Sequence, residues 1–524
     1  MQKLLLAIAI VLSTKNYAQF STTFELTKGK ETATYGQCIK FYASLAKKYP
    51  QIKIKNFDTT DAGYPLQLVT YKKSNRKNEQ KEMLTILINN GIHPGEPDGI
   101  DASMMLLRDI VQGKVAVDDN VQIAIIPVYN IGGALNRNST TRVNQNGPHS
   151  YGFRGNAQNL DLNRDFIKCD SKDAKAFVKI FQYLQPHIFI DNHVSDGADY
   201  QHTMTLLTTQ HNKMGGVVGE YLHNNFEPML YAKMQQKGWE MCPYVNFEEA
   251  LPQKGWNAFY DAPRYSSGYA ALFGTMAFVP ETHMLKPYAD RVKSTYDLMV
   301  VTITAAAEKR VEILKNKLDF TKAVAAQKTF ALSWKTDTSK FQKIIFKGYE
   351  TAEVISAVTN LPIIQYQQQK PFTKEVNFYN YFAAKEWVNK PKAYEKHHRN
   401  YDVQLEAKEQ LLQFFKGDYI VFTGQPTDRY LIETLEPKTD DSFFSWNFFD
   451  AILQQKEGYS NYRWDTIAAS FLRNNPAVQA ALNAKRKADT LFSKNADAQY
   501  DFVHKQSPYY EKAHMRYPVV RLMH

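Results

Sequence analysis

Between residues 30 and 310 the apolar positions fall into two recurring patterns. Leu66 to Tyr71, Met83 to Ile88, Val121 to Val128, His187 to Ile190 and Thr275 to Val279 are short, nearly unbroken apolar runs. Runs of that length predict strands buried on both faces. Between them lie stretches with helical spacing. One carries Phe41 and Leu45 and closes near Tyr49-Pro50; the next carries Met104 to Leu107; others span Lys172 to Leu184 and Pro287 to Leu314. Strands alternating with helices predict an α/β fold, a mixed and mostly parallel sheet with helices on both faces. A polar loop, Ser74 to Lys81, and a long Asn/Gly/Ser-rich segment, Asn130 to Gln158, interrupt the pattern.

Beyond about Lys317 the texture changes. Residues 330–455 read as strands and loops rich in aromatics, among them Phe444, Trp446, Phe448 and Phe449, and residues 465–495 read as helix broken at Asn475-Pro476. No internal repeat is visible. The division expected is a segment 1–18, a main domain 19–320 and a smaller mixed α+β region 321–524. The first segment stands apart: Lys3, an apolar run Leu4 to Leu12, and Ala18 before Gln19. A basic start, a short apolar stretch and a small residue before a cut site describe a secretory signal peptide, too short to span a bilayer. A secreted or periplasmic address follows, with no integral membrane contact after signal removal.

Composition narrows the classes. With 44% hydrophobic and 22% charged residues the chain can bury a large core and is not a disordered polymer. The net charge of +11 raises nucleic acid as a partner, but the lysines are dispersed rather than striped with aromatics, so no nucleic acid is expected. Cys38, Cys169 and Cys242 include no CxxC pair, which argues against a thiolate metal site.

The residues with chemistry sit at the carboxyl ends of the expected strands, the edge where open α/β sheets bind ligands. His93-Pro94-Gly95-Glu96 follows one strand and Asp191-Asn192-His193 another. Two histidines and a glutamate form a three-ligand zinc set with a fourth position for water. Glu281, after Phe278-Val279-Pro280, can take a proton from that water.

With His93-x-x-Glu96, Asp161-Leu162-Asn163-Arg164-Asp165-Phe166, His193-Val194-Ser195 and Glu281-Thr282-His283 in this order, residues 30–310 resemble the M14 zinc carboxypeptidases. The resemblance implies a zinc carboxypeptidase-like fold and a secreted bacterial type of metallocarboxypeptidase. His93, Glu96 and His193 would bind one Zn2+ per chain, and Asp161 would orient His93. Glu281 would activate the zinc-bound water. Asn163 and Arg164 would hold the substrate's terminal carboxylate. Arg142, with Arg137 second, would polarise the scissile carbonyl, and Tyr260 or Tyr265 would be the family's tyrosine. The expected reaction is hydrolysis of a peptide bond near a free C-terminal carboxylate, on a peptide or cell-wall peptide. The alternatives are a cell-wall amidase or endopeptidase with the same zinc site, and a non-catalytic peptide-binding protein on this fold. Two departures stand out. Gly95 replaces an arginine many members carry, and Ser266 stands where basic-specific members carry an acid, leaving Asp261 as the nearest carboxylate.

Overall fold

The computed structural model describes residues 20–73, 83–142, 144–245, 251–355, 360–384, 411, 419–436, 439–443, 461–508 and 519–522. The signal segment, the Ser74 to Lys81 loop and the aromatics Phe444, Trp446, Phe448 and Phe449 lie outside the described residues. Two compact units are present, Met1–Trp387 with Gly424–Thr434, and Val388–Thr423 with Leu435–His524.

The first unit is built on a sheet of nine strands. These are β1 (Ile52–Thr59), β2 (Pro65–Tyr71), β3 (Leu84–Asn89), β4 (Val121–Ile126), β5 (Ile188–Asp191), β6 (His193–Ser195), β7 (Met204–Thr208), β8 (Cys242–Pro243) and, later in the chain, β10 (Met276–His283), with β9 (Trp256–Asn257) standing in another sheet. The order is β1-β2-β4-β3-β5-β10-β7-β8, with β6 beside β10. The pairs of β3 with β4 and β5, of β10 with β5 and β6, and of β7 with β8 are parallel; the other three are antiparallel.

Strand period 2 divides the apolar runs between two cores. Ile86, Ile88, Ile123, Ile125, Ile188 and Ile190 face one core with the helices Tyr35–Lys48, Asp98–Val111 and Tyr288–Glu308. Leu87, Ala124, Ile126 and Phe189 face the other with the helix Lys172–Leu184. The expected α/β class, with helices on both faces, is what the chain forms.

The boundary expected near residue 320 falls inside the first unit. The helix Arg310–Ala326 buries Phe320 and Val324 in the main core. Next, β11 (Trp334–Thr336) precedes a long antiparallel hairpin of β12 (Gln342–Ile355) and β13 (Pro362–Tyr379). Phe378 of β13 pairs with Trp256 of β9, and Phe346, Val376 and Phe378 pack on Tyr200 and Trp256. Composition marks the change of texture, but long-range packing of these aromatics decides where the unit ends. In the second unit the helices Asn461–Asn474, Pro476–Ala488 and Ala496–His504 enclose Ala468, Leu482, Phe492 and Val503, and the expected break at Asn475-Pro476 is present. Among the described residues no helix is long and apolar enough to cross a membrane.

Candidate metal centre and substrate cleft

β3 ends at Asn89, and the chain turns through Gly91, whose φ of +64° is a conformation L side chains rarely adopt. The Glu96 amide bonds the His93 carbonyl at 2.8 Å, and this tight turn points both side chains to the same place. β5 ends two residues before His193. All three groups are buried: His93 is 2%, Glu96 4% and His193 5% exposed. Their ligand atoms lie within 4.8 Å of one another.

Both imidazoles turn Nδ1 inward. His93 Nδ1 is 3.2 Å from Glu96 Oε1, and His193 Nδ1 is 3.0 Å from Glu96 Oε2. Each outer nitrogen faces a carboxylate, His93 Nε2 meeting Asp161 Oδ1 at 2.9 Å and His193 Nε2 meeting Asp191 Oδ2 at 3.2 Å. A carboxylate on the outer nitrogen sets the tautomer that leaves Nδ1 free to bind a cation. The N,N,O donor set and the paired outer carboxylates therefore fit zinc. Asp191 was not singled out in this role from the sequence, although residues two apart on a strand share a face and the signal was present.

The charges are mutually adjusted. Burial works to raise the Glu96 carboxyl, but His93, Arg142 and His193 together hold it well below the usual range. Burial works to lower His193, and Asp191 with Glu96 raises it well above. Burial also disfavours the Asp161 anion, yet hydrogen bonding and charge from His93, with Arg154 and Arg164, keep it ionised. Glu281 lies opposite His193 on β10. Burial pushes its carboxyl up to about 8, against the pull of His193 and reinforced by Glu96 and Asp191.

A cleft of about 370 Å³ opens over this cluster. Asp161 caps the short turn Leu162–Arg164, accepting from the Asn163 amide at 2.9 Å. The same carboxylate thus anchors His93 and the turn that carries Asn163 and Arg164, both of which line the cleft. Asn163 Oδ1 is buried without a hydrogen-bond partner among the described residues. The Arg164 guanidinium sits 4.7 Å from the centre of the Tyr265 ring.

The expected arginine and tyrosine choices resolve differently. Arg142 does reach the centre, but it is committed there. Its Nη1 donates to Glu96 at 2.9 Å, Nη2 to the Val194 carbonyl at 3.1 Å and Nε to Gln145 at 2.6 Å. It packs over Gly95, where a Cβ would come within 2.9 Å of the Arg142 Cδ, so the glycine makes room for it. Arg137 bonds Ser150 instead and does not line the cleft. Arg154, not singled out in the sequence, also reaches this cluster. It donates twice to Asp161 Oδ2, at 3.1 and 2.9 Å, and lines the cleft. Its Nη1 faces His93 Nδ1 at 3.3 Å and Glu96 Oε1 at 3.7 Å, and its side chain is 47% exposed against 15% for Arg142. Nothing in a loop segment's periodicity distinguishes one arginine from another. Tyr265 lines the cleft, whereas Tyr260 packs on Tyr381 and under Lys213, outside the cleft lining. Ser266 lines the cleft as well. Asp261 is 1% exposed, held by the Gln210 amide at 3.1 Å and facing Lys213 at 3.5 Å, so it presents no charge to the cleft.

Residues 38–215 match the family model for zinc carboxypeptidases, Peptidase_M14. The segment holds His93, Glu96 and His193. The chain is 24% identical over 133 residues to carboxypeptidase 2 of Trichophyton rubrum, covering 25% of this chain and 22% of that protein. It is 25% identical over the same length to carboxypeptidase 2 of Trichophyton tonsurans, with 25% and 22% covered. The chain thus spans less than a quarter of the length of these curated relatives. Among solved structures it is similar to a metallo-carboxypeptidase from Burkholderia cenocepacia, at 16% identity and a TM-score of 0.39 over 51% of this chain and 68% of that one. It is also similar to carboxypeptidase A from Helicoverpa armigera, at 14% identity and a TM-score of 0.41 over 58% and 81%. The segment that holds His93, Glu96 and His193 is thus the one that is similar to the zinc carboxypeptidase family model.

Proposed function

We propose that this chain is a zinc-dependent metallocarboxypeptidase that hydrolyses a peptide bond next to a free C-terminal carboxylate. The observation that carries the reading is the buried His93–Glu96–His193 cluster with Glu281 beside it and the Asn163–Arg164 turn on the cleft wall. Zinc held by His93, Glu96 and His193 would supply a Lewis acid and lower the pKa of its water to about 7.

The chain's own residues do the rest. Arg164 grips the terminal carboxylate bidentately, with Asn163 beside it, because a guanidinium matches a planar carboxylate. Tyr265 covers the Arg164 guanidinium and closes that side. The charge of bound zinc would favour the Glu281 carboxylate over the neutral acid that burial alone favours, and Glu281 then accepts a proton as the water oxygen attacks the amide carbon. It then returns the proton to the leaving nitrogen as the C–N bond breaks. Arg154, with its exposed guanidinium, donates to the carbonyl oxygen as negative charge develops there. Arg142 acts one step back, fixing Glu96. No acid faces the cleft from position 266 or 261, so those positions give no support to selectivity for terminal Lys or Arg. We further propose that the chain is exported, with cleavage after Ala18.

The test measures zinc in the purified chain and in Glu281→Gln, then assays both on peptides with free and amidated carboxyl termini. One zinc in each, with turnover only by the unsubstituted chain and only on free termini, is the expected result. Turnover on amidated termini overturns the exopeptidase reading, and absence of zinc overturns the ligand assignment. Sequencing the amino terminus of the exported protein, expected to begin at Gln19, checks the address.

A further inference from the structure

Behind the substrate cleft lies a second cavity of about 330 Å³, within the size range of small-molecule sites. Leu207, Tyr244 and Phe259 line both spaces and so form the wall between them. The hairpin β12–β13 closes the second one with Gln342, Ile344 and Phe378. Its character differs from that of the cleft. The cleft presents Arg142, Arg154 and Arg164, whereas no lysine or arginine stands among the described residues that line this cavity.

Among the described residues that line it, the only acid is Glu227. Glu227 Oε1 accepts from the Thr208 hydroxyl at 2.7 Å. Its other oxygen faces His223 Nδ1 at 3.9 Å, beyond hydrogen-bond reach. A chain of amides sets the state of that histidine. Gln210 Nε2 donates to Asn380 Oδ1 at 3.1 Å, and Asn380 Nδ2 donates to Gln342 Oε1 at 3.0 Å. The Gln342 amide nitrogen is then the group directed at His223 Nε2, 3.1 Å away, and that ring nitrogen accepts. His211 stacks on it with centroids 3.9 Å apart. Among the described residues Glu227 therefore has no hydrogen-bonded cation partner, and it stands in a cavity with aromatic walls at Tyr231, Tyr244, Phe259 and Phe378. The buried Tyr231 hydroxyl also lacks a partner.

We propose that this cavity is a binding site for an organic monocation with a compact apolar or aromatic body, of the aralkylamine class. The carboxylate supplies the counter-charge, and the ring faces supply both apolar contact and cation–π attraction. The arginines of the cleft repel the same molecule, so charge directs it to this cavity. The inference is independent of the peptidase reading.

Calorimetric titration of the full chain with phenethylamine, 2-phenylethanol and 3-phenylpropionate tests it. The amine is expected to bind at least tenfold more tightly than the isosteric alcohol, whether or not a chelator is present. Glu227→Gln is expected to bring amine and alcohol within twofold of each other. Ala258→Leu, which projects atoms into the cavity, is expected to remove binding of both while the melting temperature shows the chain still folded. Equal binding of amine and alcohol overturns the proposal. So does an amine preference that survives Glu227→Gln, or displacement of the amine by 3-phenylpropionate, which would put it in the cleft.

Discussion

His193 and Glu281 stand opposite each other on the parallel strands β6 and β10, in the register that pairs Met276 with Ile188 and Phe278 with Ile190. A single sheet register therefore sets the spacing between the candidate metal ligand His193 and the acid that faces it. Shortening the acid should show how much that spacing matters. Glu281→Asp is expected to keep one zinc per chain and lose about 10²-fold in kcat, the size of effect a misplacement near 1 Å produces. Metal analysis beside steady-state kinetics checks this, and unchanged kcat would remove Glu281 from the proton-transfer role.

Asp161 and Asp191 hold the outer nitrogens of the two histidines. Replacing either by Asn keeps the shape but weakens the hold on the tautomer. Each variant should lose about 10–100-fold in zinc affinity, read by competition with a chelator. Asp161→Asn should also raise KM, because Asp161 caps the Asn163–Arg164 turn; Asp191→Asn should not.

Arg142 and Arg154 should separate in their effects. Arg142 contacts Glu96 directly, so Arg142→Ala should weaken zinc binding. Arg154→Ala should lower kcat by about 10²–10³, the usual loss for a removed oxyanion donor, and retain metal. The reverse pattern would return the polarising role to Arg142.

Asp101 makes stability depend on pH. Burial raises its carboxyl to about 6, against hydrogen bonds from Tyr288 and the Ala33 amide. The native state holds a proton that the unfolded chain, with a carboxyl near 4, has released, so stability falls as pH rises from about 4 to 6. Two pKa units correspond to about 3 kcal/mol. Asp101→Asn should flatten that part of the profile of unfolding free energy, measured in urea, and an unchanged slope would exclude Asp101 as its source.

Phe177 lies among Tyr129, Phe166, Phe181, Phe189 and Tyr269, with ring centroids between 5.0 and 6.3 Å. Phe177→Ala should cost about 3–5 kcal/mol, seen as a lower denaturation midpoint. Phe166 sits two residues past Arg164, so KM should rise in the folded fraction as the turn loosens.

The strands β3, β4, β5 and β10 were legible because each buries alternate residues in two cores, and such strands read as unbroken apolar runs. β1 was not singled out, since half of Ile52–Thr59 is polar and exposed at the sheet edge. His93, Glu96, His193 and Glu281 were legible for a related reason. A strand end is a local feature of the chain, and the sheet brings strand ends to one edge.

What the residues alone settled is the layered sheet and the four groups at its carboxyl edge, because periods of 2 and 3.6 are written in neighbouring positions. Only the tertiary structure put Arg154 beside Arg142 and Tyr265 rather than Tyr260 on the cleft lining, and the hairpin β12–β13 in the first unit. Those side chains are long and stand on loops, and the hairpin's aromatics pack on Tyr200 and Trp256, far away in sequence. Where such groups end up depends on the surfaces they meet after folding, and no local spacing records those surfaces.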